Sequence, residues 1–561
     1  MWQHNYEPVG GSLAVSAVVA AVPIIVLFLM LGIFRKPSWL SALTALASGL
    51  FVALAGYGMP AKLAVISVAY GAAYGLFPIA WVVFSSIMLY RLVVDSGKFE
   101  IIKNSVGALT DDRRLQALFI AFSFGAFIEG AAGFGAPVAV AGAMLAGLGF
   151  DPFFAAGICL LANTAPVAFG SIGIPVITLA NVTGLPLPEL SAMVGRLCAT
   201  VSIFIPTYLL VVMAGRKRTM EVWPAVVACG VSFAGMQFVV SNYVGAELTD
   251  IVSSLTCIVV MLGVIKLWKP KSIMRLEHDR PATVAMTQPP ARDLALAWLP
   301  YLLLVAFVLA WGYPDMKKAL DTWTNSILPP WFPINAGALN GLNVPGLHNM
   351  IQRVQPVVAS PAPYGAVFAF NWLSASGTSC LLATLSAALF LGIRPNMVVK
   401  AYTDTFRQLS YAMLTIASML GLAYLMNYSG MTSTLGLALA STGRGFPFFS
   451  AVVGWMGVFL TGSDTSANAL FGNLQVVTAT ALNLNPILTA SVNSAAGVMG
   501  KMISVQSIAV AVAATGMTAA DESRLFRFTI KHSVLLMAFM GVLSMLFAYV
   551  VPQWVPIVPP K

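Results

Sequence analysis

The sequence predicts an all-α polytopic membrane protein with roughly 12–14 transmembrane segments, arranged as two inverted-topology repeats with broken helices or re-entrant hairpins. Three observations lead there: an apolar composition, a passage stated twice, and basic residues confined to alternate loops. Of 561 residues, 59% are hydrophobic and 9% charged, with a mean hydropathy of +0.86. A soluble domain carries roughly 25% charged residues. The passage G-A-F-I-E-G (residues 125–130) returns as G-V-F-L-T-G (457–462), and F-D-P (150–152) as L-N-P (484–486). N-T-A-P-V-A-F-G (163–170) returns as N-S-A-A-G-V-M-G (493–500), and Thr183-Gly184 as Thr515-Gly516, all at offsets of 330–334 residues.

Apolar stretches such as 13–34, 225–244 and 534–551 match the ~20 residues that carry a helix across ~30 Å of hydrocarbon. The first is too long for a signal-peptide core of ~7–15 residues and has no charged leader, so it reads as a retained span. Cys159, Cys198, Cys229, Cys257 and Cys380 stand singly in apolar stretches. An odd number without metal-ligand spacing points to buried thiols, not to a disulfide frame or a zinc site.

The net charge of +10 is not a patch for nucleic acid, because the basic residues sit in short loops: 35–36, 91–114, 216–218, 266–292, 394–407 and 524–531. The intervening segments 180–189 and 241–250 carry no Lys or Arg. This alternation places the basic loops in the cytoplasm. It puts both termini outside, together with the longer loop 314–360 that holds Lys317, Lys318 and Arg353.

The same charges orient the repeats, taken as 75–186 and 408–517 within a single membrane domain spanning 1–561. Ser96-Gly97, ahead of the first copy, is flanked by Arg91, Lys98, Lys103, Arg113 and Arg114, whereas its equivalent Ser429-Gly430 has only Arg444 nearby. At the far ends the asymmetry reverses: 185–190 has no basic residue and 521–531 has three. Copies of opposite topology imply a site near the midplane between them, an architecture of transporters.

Within each copy the helices are interrupted. Residues 125–149 hold seven glycines and Pro137, including G-A-A-G-F-G-A-P with Gly130, Gly133 and Gly135. Glycine and proline cost ~1 and ~3 kcal/mol in a helix interior, so a hairpin or an unwound helix is expected, with its backbone satisfied by protein or by a water-filled cavity. The matching stretch, from Gly462 to Asn468, reads G-S-D-T-S-A-N and substitutes hydroxyls and an amide for glycines. Small residues could also serve close helix packing, which accounts for Gly142 or Gly147 but not for Asp464.

A charge at the bilayer centre costs at least ~2.5–3.5 kcal/mol on insertion scales, so ionisable residues there are the first candidates. Glu129 lies in F-I-E-G, Asp464 three positions beyond its equivalent, and Lys501 after G-V-M-G. Glu129 and Asp464 are read as proton-coupling residues, since burial favours a neutral carboxyl; a structural ion pair is the alternative. Lys501 would pair with either acid or meet an anionic substrate. Arg91 and Arg196 sit near span ends, where they can snorkel. Asn163, Thr164, Ser171, Thr465, Ser466, Asn468, Asn493, Ser494, Ser504 and Gln506 supply a polar set inside the repeats. Gly170 and Gly500 mark equivalent breaks. Half-helix N-termini at such breaks favour a carboxylate.

F-G-A-F-I-E-G-A-A-G-F-G-A-P (124–137), N-T-A-P-V-A-F-G (163–170), F-L-T-G-S-D-T-S-A-N-A-L-F (459–471) and G-K-M-I-S-V-Q-S-I-A (500–509) resemble the lactate permease family of bacteria, and the likeness runs over essentially the whole chain. The resemblance implies uptake of L-lactate, with D-lactate and glycolate as related substrates, by proton symport across the bacterial cytoplasmic (inner) membrane. It implies no cofactor beyond the coupling proton, and no partner beyond the monocarboxylate and the lipid bilayer. Two departures stand out. Val505 replaces an expected proline, which softens a kink, and Ser171-Ile172 is read as a change that tunes packing. A mechanism follows as an expectation: a proton neutralises Glu129 or Asp464, the substrate carboxylate meets Lys501 and hairpin amides, and side-chain groups bind the 2-hydroxyl.

Rival functions are separable. A sodium-coupled carboxylate symporter would use oxygens at Asn163-Thr164 and Ser466–Asn468. A passive anion channel would need no broken inverted repeats. An intramembrane enzyme finds no nucleophile–base pair, and His4, His278, His348 and His532 lie near termini or in loops without metal spacing. Neither a catalytic nor a metal site is expected, and the oligomeric state stays open.

Overall fold

The computed structural model describes residues 1–133, 135–275, 289–327, 341–358 and 360–557. Phe134 of the glycine-rich bend, His278 with part of the basic loop at 266–292, and part of the loop at 314–360 lie outside them. Among the described residues, 11 helices are long and apolar enough to cross a membrane, or 13 if each of two bent pairs is one span. The protein is an all-α, multi-pass membrane protein.

The helices are α1 (Leu13–Ile33), α2 (Ser38–Gly56), α3 (Ala61–Asp95), α4 (Lys98–Gly107), α5 (Arg113–Ala131) and α6 (Ala136–Gly147). Next come α7 (Pro152–Ala162), α8 (Gly170–Thr183), α9 (Leu187–Met220), α10 (Trp223–Tyr243), α11 (Ala246–Leu267) and α12 (Ala291–Gly312). Then follow α13 (Pro314–Ile327), α14 (Ser376–Phe390), α15 (Pro395–Ser429), α16 (Met431–Leu439) and α17 (Phe446–Thr461). The chain closes with α18 (Asp464–Ala481), α19 (Pro486–Lys501), α20 (Val505–Ala514) and α21 (Glu522–Tyr549).

The repeated strings are the punctuation of repeated elements. Both copies run as a helix of 35 residues (α3, α15), a short helix (α4, α16), two limbs joined by a tight turn (α5–α6, α17–α18), and a bent pair (α7–α8, α19–α20). F-D-P and L-N-P are N-caps. The Asp151 carboxylate accepts from the Phe153 and Phe154 amides, the Asn485 side chain accepts from the Ile487 amide, and a proline follows each cap. The Thr-Gly echoes are helix stops: Gly184 and Gly516 both take positive φ, at 69° and 73°. Spacing survived in the sequence because these caps define where each half-helix starts and ends.

The bends differ between copies. The first pair turns by 64° and the second by 41°, in line with the softer break expected where Val505 follows Ser504. The first break is tighter for a further reason. Ser171 and Ile172 adopt left-handed φ of 46° and 60°, so these residues do more than tune packing. A conformation this unfavourable for side-chain-bearing residues persists only when its surroundings enforce it.

Peripheral elements brace the bundle. Trp2–Gln3 pairs in parallel with Ile351–Arg353, which pairs antiparallel with Ala362–Pro363, and His4 Nε2 lies 2.9 Å from the Tyr428 carbonyl. All five cysteines are free and buried. His532 lies inside α21, not in a loop, with Nδ1 2.5 Å from the Tyr208 hydroxyl. Arg91 bonds Gln408, and Arg196 bonds Asn242.

At the base of α5, the Arg114 side chain is fully buried and donates to both Asp112 carboxylate oxygens (3.1 and 2.7 Å). It also donates to Glu221 Oε2 (2.8 Å) and to the Arg218 and Ser272 carbonyls. One guanidinium thus joins the foot of the first hairpin to the end of α9 and the strand of chain after α11. Replacing Arg114 with Met strands the buried Asp112 carboxylate. The expected loss is about 3–5 kcal/mol, read as a lowered thermal-unfolding midpoint in detergent; an unchanged midpoint contradicts the assignment.

Candidate functional site

Glu129 sits in the last turn of α5, and Lys501 is the last residue of α19, 372 positions away. Their side chains meet in the interior: Lys501 Nζ donates to Glu129 Oε1 at 2.9 Å, with side-chain exposures of 11% and 3%. Each repeat therefore contributes one charge to a single buried pair. Such a pair is sensitive, because removing one partner leaves an uncompensated charge worth about 3–5 kcal/mol.

The pair opens on a cavity. Of the residues singled out above, Glu129, Gly135, Gly170, Ser171, Gly462, Asp464, Thr465, Lys501 and Gln506 line it, joined by Ser463, Ser507 and apolar Val167, Ile174, Pro175 and Val510. These come from the turn of one hairpin, the tip of the other, and both helix breaks. A larger cavity shares Gly462 and Gln506 with it and has Arg35, Lys36, Glu522 and Arg527 on its walls. The inner cavity thus adjoins an open one on the side where the basic loops lie.

The remaining candidates support this arrangement instead of lining it. Asp464 Oδ2 accepts from the Ser494 hydroxyl (2.6 Å) and from Asn468 Nδ2 (3.3 Å). The same Asn468 amide reaches the Pro175 carbonyl at 3.1 Å, tying the second hairpin to α8. Asn493 donates to Asn468 Oδ1 (2.9 Å) and accepts from Gln475 (3.1 Å). Asn493 and Asn163 do not converge on one point. Asn163 and Thr164 instead lie together with Lys501 and Ser507 beside Leu160, Val498 and Met502. The Thr164 hydroxyl donates to the Leu161 carbonyl. Ser504 caps α20 and donates to Ser507 Oγ at 2.9 Å, while the Ser466 amide donates to the Ser463 hydroxyl.

Glycines make the close approaches possible. A Cβ on Gly170 would lie 2.5 Å from Glu129 Oε1, and one on Gly133 2.1 Å from the Ser171 hydroxyl, which donates to the Ala132 carbonyl. The Gly500 position abuts the Trp455 carbonyl (2.3 Å), Gly130 abuts Asp250, and Pro137 opens α6. Asp250 is a functional candidate that sequence reasoning did not single out. Asp250 ends the string A-E-L-T-D, which reads as the polar close of a loop; in the fold it is 1% exposed. Glu129 Oε2, Asp464 Oδ1, Asn163 Oδ1 and both Asp250 oxygens are buried with no hydrogen-bond partner among the described residues.

Broken helices that meet around one buried charge pair, inside a bundle of membrane-crossing helices, define a membrane transporter and not an enzyme. Residues 16–551 match the family model described as L-lactate permease, and the chain belongs to that family. It is 46% identical to the L-lactate permease of Bacillus subtilis over 567 residues, covering 99% of this chain and all of that protein. It is 43% identical to the glycolate permease GlcA of Escherichia coli over 561 residues, with 98% of each chain covered. The L-lactate permease of Salmonella typhimurium is 42% identical over 560 residues, covering 99% of this chain and all of that protein.

The geometry at Gly170 generates a prediction. A methyl group there displaces the Glu129 carboxylate from Lys501, so Gly170→Ala should lower uptake by roughly tenfold or more, equivalent to at least ~1.4 kcal/mol. The amount of protein in the membrane should stay the same. Uptake at the unsubstituted rate would show that the pair tolerates displacement.

Proposed function

We propose that the protein imports L-lactate, with D-lactate and glycolate as related 2-hydroxymonocarboxylates, by proton symport across the cytoplasmic membrane. The observation that carries this reading is the Glu129–Lys501 pair on the cavity wall. The substrate is an anion, and Lys501 is the cation on that wall. Lactate reaches Lys501 only if Glu129 lets go, and a Glu129 carboxylate left alone in the interior would oppose its release. A proton removes that obstacle. Protonated Glu129 frees the ammonium, the lactate carboxylate takes its place, and Ser171, Thr465 and Gln506 offer hydrogen bonds to the 2-hydroxyl.

Charge counting makes the coupling one to one. The empty site holds Lys501⁺ and Glu129⁻; the loaded site holds Lys501⁺, lactate⁻ and neutral Glu129. Both sum to zero, so both can move through the low-dielectric interior, whereas a site loaded without its proton carries an extra negative charge. The two repeats, read as inverted copies at 75–186 and 408–517, would rock about this point. The positive-inside pattern puts both termini outside and makes the cavity carrying Arg35, Lys36 and Arg527 a cytoplasmic vestibule. In this reading the structure is the inward-facing form.

Uptake into proteoliposomes should follow a pH gradient and ignore an imposed membrane potential or a sodium gradient at fixed pH. Glu129→Gln should abolish accumulation driven by the pH gradient and keep exchange of external for internal lactate, because Lys501 remains free. Acceleration by sodium at fixed pH, or full accumulation by Glu129→Gln, would overturn the proton-coupled reading.

A further inference from the structure

The first turn of α11 is wedged against both interruptions of the first repeat. A Cβ at Gly130 would lie 2.9 Å from Asp250 Cβ and 3.1 Å from the Ile251 amide nitrogen, and a Cβ at Gly173 would lie 2.6 Å from the Ala246 carbonyl oxygen. Asp250 is thus pressed against the residue next to Glu129. It is 1% exposed, and neither carboxylate oxygen has a hydrogen-bond partner among the described residues. A first-turn acid commonly caps its helix or answers the helix dipole. Asp250 makes no capping bond, and an ionised carboxylate held without a partner at this depth is strongly disfavoured.

One turn earlier on the same helix, Glu247 lines a cavity bounded by residues of α9, α10 and α12, by Lys317 of α13 and by the start of α14. This cavity lies at the end of the molecule where segments 180–189 and 241–250 carry no basic residue, opposite the cavity that holds Arg35, Lys36 and Arg527. Residues three apart on a helix face the same way, with Cβ atoms roughly 5–6 Å apart. Glu247 accepts from the Ser376 hydroxyl at 3.5 Å on the cavity wall, and Asp250, one turn on, packs against the residue next to Glu129, so the three acids succeed one another between that cavity and the buried pair.

We propose that Asp250 carries protons between the external cavity and Glu129, by a route separate from the cavity on the basic side. Asp250 gives its proton to the Glu129 carboxylate as Lys501 turns to lactate, and its own carboxylate is reprotonated from water through Glu247. The charged and titratable groups around Asp250 are Glu129 on α5, Lys501 on α19 and Cys198 on α9, with Glu247 on its own helix. α8 contributes none; α10 contributes only exposed Tyr243 and Cys229, whose sulfur lies beside that of Cys257, two turns along α11.

The inference rests on Glu129 being the coupling carboxyl, and the experiment separates the two. Reconstituted Asp250→Asn is measured for net lactate uptake driven by a pH gradient and for lactate–lactate exchange, which needs no net proton movement. Net uptake should fall by roughly tenfold or more while exchange stays within about threefold, and Asp250→Glu should restore net uptake. Unchanged net uptake by Asp250→Asn, or a parallel loss of uptake and exchange that Asp250→Glu fails to restore, overturns the proposal. Glu247→Gln, at a partly exposed position, is the second arm. Slowed net uptake with intact exchange supports the route, and unchanged uptake overturns it even if Asp250→Asn does not fold. Glu129→Gln run alongside identifies which idea failed: if it too accumulates lactate normally, the coupling role of Glu129 is wrong, not merely the route to it.

Discussion

A single ammonium group governs the interior of this protein. Lys501 is a buried cation at the cavity, and Glu129, Asp464 and Asp250 all lie within its electrostatic range. Three ionised acids cannot be accommodated around one base at low dielectric. Only Glu129 takes the short contact, and the others are left to hydrogen bonds or to none. The empty site is therefore close to neutral only when protons occupy part of the cluster. An incoming carboxylate changes that tally by one, and in the proposed symport that change is the physical root of coupling.

The surrounding structure holds that cluster in register. Glu129 and Lys501 come from chain segments hundreds of residues apart, and each stands at the end of a helix that stops inside the bundle. The half-helices are delimited locally: Asp151-Pro152 and Asn485-Pro486 start α7 and α19, Gly133 lies beyond the C-terminus of α5, and Gly184 and Gly516 lie beyond those of α8 and α20. The copies then diverge in what they put at the tips. The first uses glycines and a left-handed Ser171-Ile172 pair to bring backbone against backbone. The second uses a relay from Gln475 through Asn493 and Asn468 to Asp464. Asn468 also holds the Pro175 carbonyl, so the relay fastens one repeat to the other beside the charge pair.

Much of this could be read from residues alone, for identifiable reasons. Caps and stops are local, so the echoed F-D-P, L-N-P and Thr-Gly strings marked helix ends at their true spacing. Charges in apolar sequence are costly enough that Glu129, Asp464 and Lys501 stood out. Pairing is not local: nothing in the chain distinguishes Glu129 from Asp464 as the partner of Lys501. The amides show the same limit. Asn163 and Asn493 match by position, yet Asn163 lies beside Lys501 and Ser507 while Asn493 lies within the relay. Asp250 escaped notice since A-E-L-T-D resembles the end of an exposed loop, whereas in the fold it packs against Gly130 and is buried.

The central claim is that lactate and a proton enter the site together because lactate takes Glu129's place on Lys501. Proton uptake on lactate binding, followed with a pH indicator in weakly buffered detergent solution near neutral pH, tests it without any membrane gradient. The account predicts one proton taken up per lactate bound to the unsubstituted protein, and none with Glu129→Gln although lactate still binds. Lactate binding without proton uptake by the unsubstituted protein would contradict it.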